Sequence, residues 1–284
     1  MLASNPQAPP KESAAVSLNR LTPEQIAFYH ENGYIKDLPP IYDAAGVADL
    51  NEGIKHILAL LEPGEKPLEI REWHQNSTFL FDICMNEQIL NYVEDLIGPD
   101  FYMWASSFFI KDPRSPRTVD WHQDSYYWPL TPPESCTVWL SFNGSDIENG
   151  AMRVIPKSHL GGIIQHSSDA DENSELTLRC ETAEYKESSM VYLNLKPGEI
   201  SIHDDKIIHG SLGNNSDRSR IGFTIRYSKT NVKCDLTVNP NFKTYHCRGT
   251  DIYNHNPRGP IPTQKYGRIW QDYRNVETEI AAKK

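Results

Sequence analysis

Between about residue 100 and residue 230 the chain alternates short apolar segments with turn residues, and this alternation limits the folds open to it. The segments are rich in β-branched and aromatic residues and cover 101–110, 136–143, 150–156, 190–195, 198–203 and 221–228. Asn-Gly and Pro-Gly pairs separate several of them. Short strands with such turns are typical of an antiparallel sandwich or barrel. We find no glycine-rich nucleotide-binding loop, which disfavours a doubly wound fold.

The part of the chain before residue 100 carries helix signals instead. Thr22 is a good N-cap, Gln25 completes a capping box with it, and Gly33 is placed to end the helix. Apolar residues at helical spacing predict a second helix from about Asp43 to Leu61. A third is predicted after Asn86, ending at Gly98-Pro99. The sequence therefore predicts a mainly β fold with flanking helices.

Charge and cysteine usage narrow the class of partner. The formal net charge is −10, and lysines and arginines do not cluster, so nucleic acid and anionic membrane surfaces are disfavoured and a small-molecule substrate is favoured. The five cysteines show no CxxC spacing, which indicates a reducing cytoplasm rather than a disulfide framework. No stretch reaches the roughly 18 apolar residues that a bilayer span needs. The oligomeric state stays open.

Two potential metal ligands stand one residue apart in VDWHQDSYYWPL, residues 119–130. They are His122 and Asp124, and in an extended strand both would point to the same face. A third candidate, His209, ends an apolar segment within KIIHGSLGNNSDRSR, residues 206–220. Two histidines and one carboxylate form the facial triad that favours Fe(II) and leaves coordination positions open.

Three segments together resemble the phytanoyl-CoA dioxygenase family of Fe(II)/2-oxoglutarate-dependent oxygenases. They are HQD at 122–124, NGAMRVIPKSH at 149–159 and HGSLGNNSDRSR at 209–220. The resemblance implies a double-stranded β-helix core, also called a jelly-roll or cupin-like core. We accordingly predict a mobile tail over 1–20 and a single oxygenase domain over 21–284. Its parts would be a helical portion (21–99), the core (about 100–230) and a C-terminal extension (231–284) with a short helix near 265–274.

The resemblance also implies the site residues and cofactors. His122, Asp124 and His209 would be the iron ligands, with Fe(II), 2-oxoglutarate and O2 as cofactor and co-substrates. Arg220 matches the arginine that pairs with the distal carboxylate of 2-oxoglutarate, a role suited to its planar fork of donors. Further positions that match the lining of the co-substrate site are Ser211 and Trp139.

The activity implied is hydroxylation of an unactivated C–H bond, with 2-oxoglutarate converted to succinate and CO2. Related halogenases have Gly or Ala in place of the ligand aspartate, which frees a position for chloride. This chain has Asp124, so hydroxylation is favoured over halogenation.

Aromatic and cationic residues near these motifs suggest the substrate class. Tyr126, Tyr127 and Trp128 are expected at the mouth of the pocket, where they could contact an amine. Arg153 and Arg226 could reach an anionic group. These residues favour a small polar metabolite, such as an aminoethylphosphonate-like compound or another zwitterion, over a CoA thioester. The acidic segment 166–189 is predicted to be a surface loop or a lid.

Two other classes of protein stay open. One is a non-catalytic cupin-like protein that binds metal or ligand in the same pocket, and the other is a zinc hydrolase on a jelly roll. A zinc hydrolase would leave the carboxylate-binding arginine without a purpose. Three further histidines are expected to have no ligand role: His166, His203 and His246.

Overall fold

A computed structural model of the protein describes residues 19–180, 182 and 189–269. Most of the tail predicted over 1–20 lies outside these residues, as do the end of the extension from 270 and part of the acidic segment. Of the helix predicted near 265–274, residues 265–269 are not helical and the remainder lies outside the described residues. No helix in the described ranges is long and apolar enough to cross a membrane.

The helices precede most of the strands. They are α1 (Pro23–Asn32), α2 (Ala44–Leu58), α3 (Thr78–Cys84), α4 (Glu87–Ile97) and α5 (Asp124–Tyr127). The capping box of α1 is confirmed, and Gly33 ends this helix at a φ of 80°. Helix α2 stops at Leu58, earlier than the predicted Leu61, and α3 was not predicted.

The described residues form fourteen strands, of which six overlap the six predicted segments and eight lie outside those segments. They are β1 (Tyr34–Ile35), β2 (Phe101–Lys111), β3 (Val119–His122), β4 (Leu130–Thr131), β5 (Ser135–Ser141), β6 (Met152–Val154), β7 (His166–Ser167), β8 (Arg179–Cys180), β9 (Val191–Tyr192), β10 (Ile200–Asp204), β11 (His209–Ser211), β12 (Arg220–Lys229), β13 (Lys233–Cys234) and β14 (Tyr245–Arg248).

Two antiparallel sheets form the body of the protein. The larger has six strands in the order β1-β10-β5-β12-β2-β14, and the smaller has four in the order β3-β11-β6-β9. Trp139 of the larger sheet packs with Met152 and Val154 of the smaller one, so the two sheets face each other. The predicted double-stranded β-helix core is confirmed.

Alternation along β12 separates the two faces of the larger sheet. Phe223, Ile225 and Tyr227 point outward into the main apolar core, which they share with the helices. The residues between them point inward, because successive side chains of a strand lie on opposite faces. Arg220 and Arg226 both lie on this inner face and line the cavity between the sheets.

Candidate active site

Three potential metal ligands converge at the ends of separate elements. His122 ends β3, Asp124 begins α5 and His209 begins β11. His209 is the register partner of His122, and their ring centroids are 4.1 Å apart. One ligand atom from each of the three residues lies within 4.8 Å of the others, and this is the one such group of three or more found in the described chain.

Backbone carbonyls fix the orientation of both imidazoles. The Nδ1 atom of His122 is 2.8 Å from the carbonyl oxygen of Asp120, and that of His209 is 3.0 Å from the carbonyl oxygen of Ile207. A carbonyl can only accept, so each Nδ1 carries the proton and each Nε2 keeps its lone pair. The Nε2 atoms lie 3.8 Å and 3.9 Å from Asp124 Oδ1.

The charge states of these groups suit a cation. Burial lowers the pKa of His122, and lowers that of His209 well below its usual value, so both rings are neutral at pH 7. Burial alone would raise the pKa of Asp124, but the His203 side chain and the charge of Arg226 hold that pKa below its usual range. The Thr137 hydroxyl also donates to Asp124 Oδ2 at 2.9 Å. The result is two neutral nitrogen donors and one carboxylate.

The reason given above for the convergence of His122 and Asp124 was wrong. Strand β3 ends at His122, and the chain turns at Gln123 into α5, so the two side chains do not meet by strand alternation. The Gln123 side chain holds this turn. It is fully buried, donates to the carbonyl oxygens of Gly162 and Lys206 at 2.7 and 2.6 Å, and accepts from the Ile164 amide at 2.8 Å.

The three ligands open onto a cavity of about 140 Å³. At one end lie Arg220, Ser211 and Trp139, the residues predicted for the co-substrate. The Arg220 side chain is buried, donates to the carbonyl oxygen of Gly150 and lies 5.5 Å from the centre of the Trp139 ring. Burial lowers its pKa to about 10, which leaves the guanidinium charged at neutral pH.

Lys111 is a buried cation at this end that sequence reasoning missed. Its Nζ donates to Ser211 Oγ at 2.8 Å, to the Arg117 carbonyl at 2.9 Å and to the carbonyl of Leu212. Burial and the nearby charge of Arg220 together lower its pKa to about 7. The available signal was a lysine that ends the long apolar segment 101–111.

Of the residues predicted for the substrate, the structure brings three to the cavity: Tyr127, Trp128 and Arg226. Tyr126 stacks on His166 at 3.9 Å, and neither Tyr126 nor Arg153 is among the lining residues. The Arg153 guanidinium lies 4.4 Å from the centre of the Trp121 ring. Expecting Tyr126 and Arg153 in the pocket was therefore wrong, because each packs against another ring.

Other lining residues carried no signal in the sequence. His203, expected to have no ligand role, has its Nε2 3.6 Å from Asp124 Oδ2. Glu72 and Trp104 come from distant parts of the chain, and Glu175 comes from the acidic segment. Glu175 also lies 3.6 Å from Arg117. Part of the acidic segment therefore reaches the cavity.

Comparison with known proteins identifies the family. A family model described as phytanoyl-CoA dioxygenase (PhyH) matches residues 29–222. The phytanoyl-CoA dioxygenase domain-containing protein 1 homolog of Dictyostelium discoideum is 34% identical over 124 residues, which cover 42% of this chain and less than half, 44%, of that protein. The human peroxisomal phytanoyl-CoA dioxygenase is 27% identical over 233 residues, 74% of this chain and 69% of that protein.

A solved structure agrees with this result. CytC3 with Fe(II) and α-ketoglutarate has a TM-score of 0.60 and 23% identity, and the match covers 87% of this chain and 99% of CytC3. This likeness shows the shared fold. The family match spans most of the chain and includes every motif that carried the resemblance. The chain therefore belongs to the phytanoyl-CoA dioxygenase family, a family of Fe(II)- and 2-oxoglutarate-dependent oxygenases.

Proposed function

We propose that this chain is a hydroxylase in which His122, Asp124 and His209 hold Fe(II). The observation that carries the proposal is the pair of anchored imidazoles whose Nε2 atoms converge on one carboxylate. The neutral N,N,O donor set fits iron, and hydrogen bonds to the distal ring nitrogens are the usual support of such ligands. Iron supplies the oxygen chemistry when bound. The protein fixes its ligands and excludes bulk water.

Arg220 is proposed to bind the distal carboxylate of 2-oxoglutarate. Its guanidinium is buried, and its Nε has no hydrogen-bond partner among the described residues, so donors are available for a carboxylate. Trp139 and Ser211 would form the walls of this end of the cavity. Lys111 holds the Ser211 hydroxyl in place. Its pKa of about 7 leaves it only partly charged at neutral pH, so Arg220 is the main cation that would attract the carboxylate.

The substrate is proposed to be a small polar metabolite, with an aminoethylphosphonate-like zwitterion as the working example. The cavity lining places Arg226 beside the rings of Trp104 and Trp128, which suits a compact charged substrate better than a long acyl chain. Asp124 stands at the ligand position, which favours hydroxylation over halogenation. A cytoplasmic location stays a prediction, in keeping with five free cysteines.

The first experiment is an anaerobic titration of the metal-free protein with Fe(II) and 2-oxoglutarate. Bidentate chelation of iron at a facial triad gives a weak visible charge-transfer band. We expect the band with the native protein, and a higher 2-oxoglutarate requirement in Arg220→Ala. Arg218→Ala is the matched control, since Arg218 is half-exposed and pairs with Asp146 at the surface. Folded protein without a band would refute the proposal and favour a non-catalytic binding protein.

The second experiment measures turnover as the release of succinate. With 2-aminoethylphosphonate as the trial substrate, succinate release should depend on Fe(II) and disappear in His122→Ala and Asp124→Ala. Circular dichroism checks that these variants fold. If 2-aminoethylphosphonate neither binds nor stimulates succinate release, that substrate is excluded while the band still tests the reaction class.

A further inference from the structure

The end of the cavity away from Arg220 holds a second arginine with few partners. Among the described residues, Arg226 makes one hydrogen bond, from Nη1 to Ser107 Oγ at a long 3.4 Å, and forms no ion pair within 4 Å. A guanidinium has five N–H donors. The buried Nε has no hydrogen-bond partner in the described chain. Most donors of Arg226 are therefore available to a ligand.

Two tryptophans hold the guanidinium in place. The Arg226 Cζ lies 5.2 Å from the centre of the Trp128 ring and 5.9 Å from that of Trp104. The two indoles meet edge to face at 4.9 Å. The Trp104 Nε1 is a further buried donor without a partner in the described residues. A cation fixed on aromatic faces is preorganised, which reduces the entropy lost when a ligand binds.

Glu72 is the acidic side chain at this end, and it does not neutralise the arginine. Its side chain is 14% exposed, and its backbone has a φ of 61°, with the amide donating to the Ser106 carbonyl at 2.8 Å. Burial raises the pKa of Glu72 to about 8, despite the opposing charge of Arg226. Arg71 also lines this end. At neutral pH Glu72 therefore leaves the charge of Arg226 largely uncancelled, which favours an anionic group beside this side chain.

The register of the sheet places this arginine near the candidate metal ligands. Arg226 on β12 is the partner of Thr137 on β5, and Thr137 donates to Asp124. Arg220 stands six residues away on the same strand, about 20 Å along it at about 3.3 Å per residue. One arginine can therefore bind the co-substrate while the other binds a second molecule at the reaction centre.

We infer that Arg226, supported by Trp104 and Trp128, binds an anionic oxo group of the substrate, either a carboxylate or a phosphonate. This inference rests on the proposed hydroxylase function and deepens it, because it assigns the substrate class to one side chain. Glu72 lies beside the arginine, where the carbonyl oxygen of its protonated carboxyl group can accept from an ammonium or hydroxyl group on the same molecule. The recognised substrate is thus a small anion with a neighbouring hydrogen-bond donor.

Calorimetric titration with three probes of similar size tests this inference. 2-Aminoethylphosphonate and β-alanine offer a phosphonate and a carboxylate beside an ammonium group, whereas ethanolamine lacks the anion. Each is titrated into the metal-free protein, and into the protein loaded anaerobically with Fe(II) and 2-oxoglutarate. We expect at least one anionic probe to bind and ethanolamine not to bind. The tighter of the two anions shows whether the site prefers a tetrahedral or a planar group.

Substitutions at Arg226 show whether this side chain binds the probes. Loss of a charged hydrogen-bond donor should weaken binding by about 10- to 100-fold in Arg226→Gln. Arg226→Lys keeps the charge but not the fork, so it should also bind less tightly than the native protein. The matched control is Arg153→Gln, since Arg153 also lies over a tryptophan but outside the cavity lining. This control should bind as the native protein does.

The results separate this inference from the proposed function. A visible band with Fe(II) and 2-oxoglutarate that still forms in Arg226→Gln shows that the variant is folded and that its co-substrate end is intact. Equal probe affinity in the native protein and in both Arg226 variants overturns the inference. Binding of ethanolamine as tight as that of the anions, or no binding of either anion at millimolar concentration, also overturns it. Absence of the band in the native protein refutes the hydroxylase instead.

Discussion

The Gly222→Ala substitution adds one carbon atom and tests the contact between residue 222 and Trp139, at the proposed co-substrate end of the cavity. A Cβ atom at residue 222 would lie 1.9 Å from Cζ2 of Trp139, 2.4 Å from Cε2 and 2.6 Å from Cη2. Carbon atoms pack at about 3.5–4.0 Å, so the indole would have to move by roughly 1.5–2 Å. The φ of Gly222 is not in the left-handed region, so alanine brings no backbone strain there. The substitution therefore changes this contact alone.

The loss of stability expected in Gly222→Ala follows from the surroundings of Trp139. It lies in the middle of β5, between β10 and β12, and its neighbours Val138 and Leu140 are fully buried, so the backbone cannot yield easily. The indole must instead turn toward the cavity and Arg220. Overpacking of this kind costs about 1–3 kcal/mol. At about 2–4 °C per kcal/mol, the Tm should fall by roughly 2–12 °C.

The functional cost should be comparable with the stability cost. A displacement of ~1 Å at a catalytic site can reduce turnover by about 100-fold, which corresponds to about 2.7 kcal/mol. The assay is an anaerobic 2-oxoglutarate titration of the visible band, together with thermal unfolding. Gly161→Ala is the control, because no heavy atom lies within 4 Å of a Cβ there. Unchanged Tm and co-substrate affinity in Gly222→Ala would refute the contact; a lower Tm alone would show that the indole moves away from the cavity.

Three further substitutions test the surroundings of the site. Gln123→Ala removes three buried hydrogen bonds, so the free energy of unfolding should fall by about 2–4 kcal/mol. The affinity for iron should fall as well. Chemical denaturation measures the first effect and metal titration the second. Between pH 7 and 10.5 the Lys111 side chain binds more protons in the unfolded chain than in the folded one. The native protein should therefore gain stability relative to Lys111→Met as the pH rises through that range. A difference in unfolding free energy that stays constant with pH, measured by denaturation, would contradict the lowered pKa. Glu175→Gln removes a negative charge near Arg220 and should tighten 2-oxoglutarate binding a few-fold, with equal affinity as the contrary result.

Local chemistry made much of the fold predictable. The capping box at Thr22 and the Asn86 cap act within one turn of helix, so both helices began where the sequence indicated. Strand segments were found because alternation and turn residues are also local. Helix α3 was missed because its seven residues are apolar almost all round and carry no stripe. Residues 59–61 are not helical, although the prediction included them. No glycine marks this end of α2 in the sequence, so the prediction extended the helix too far.

The site was predictable only where motifs lie close in sequence. The three proposed iron ligands and Arg220 came from recognisable patterns. Glu72 and Trp104 did not, because they reach the cavity through long-range packing that leaves no periodic signal. The sequence favoured Arg226, because an even number of residues separates it from Arg220. Arg153 alternates with Met152 and Val154, which pack with Trp139, so Arg153 lies on the face away from the cavity.

Both arginines lie on β12, so a change in the length of this strand affects the positions of both. Arg220 and Arg226 share the inner face of β12 because an even number of residues separates them, and Phe223 and Ile225 fill the outer face. Inserting one residue between the arginines would turn one of them outward into that core, at the cost of a buried, unpaired charge. A one-residue insertion or deletion between the two arginines is therefore a poor route to a new substrate. Substitution at Arg226 changes the substrate end while Arg220 keeps its place, so selectivity can change without loss of the co-substrate site.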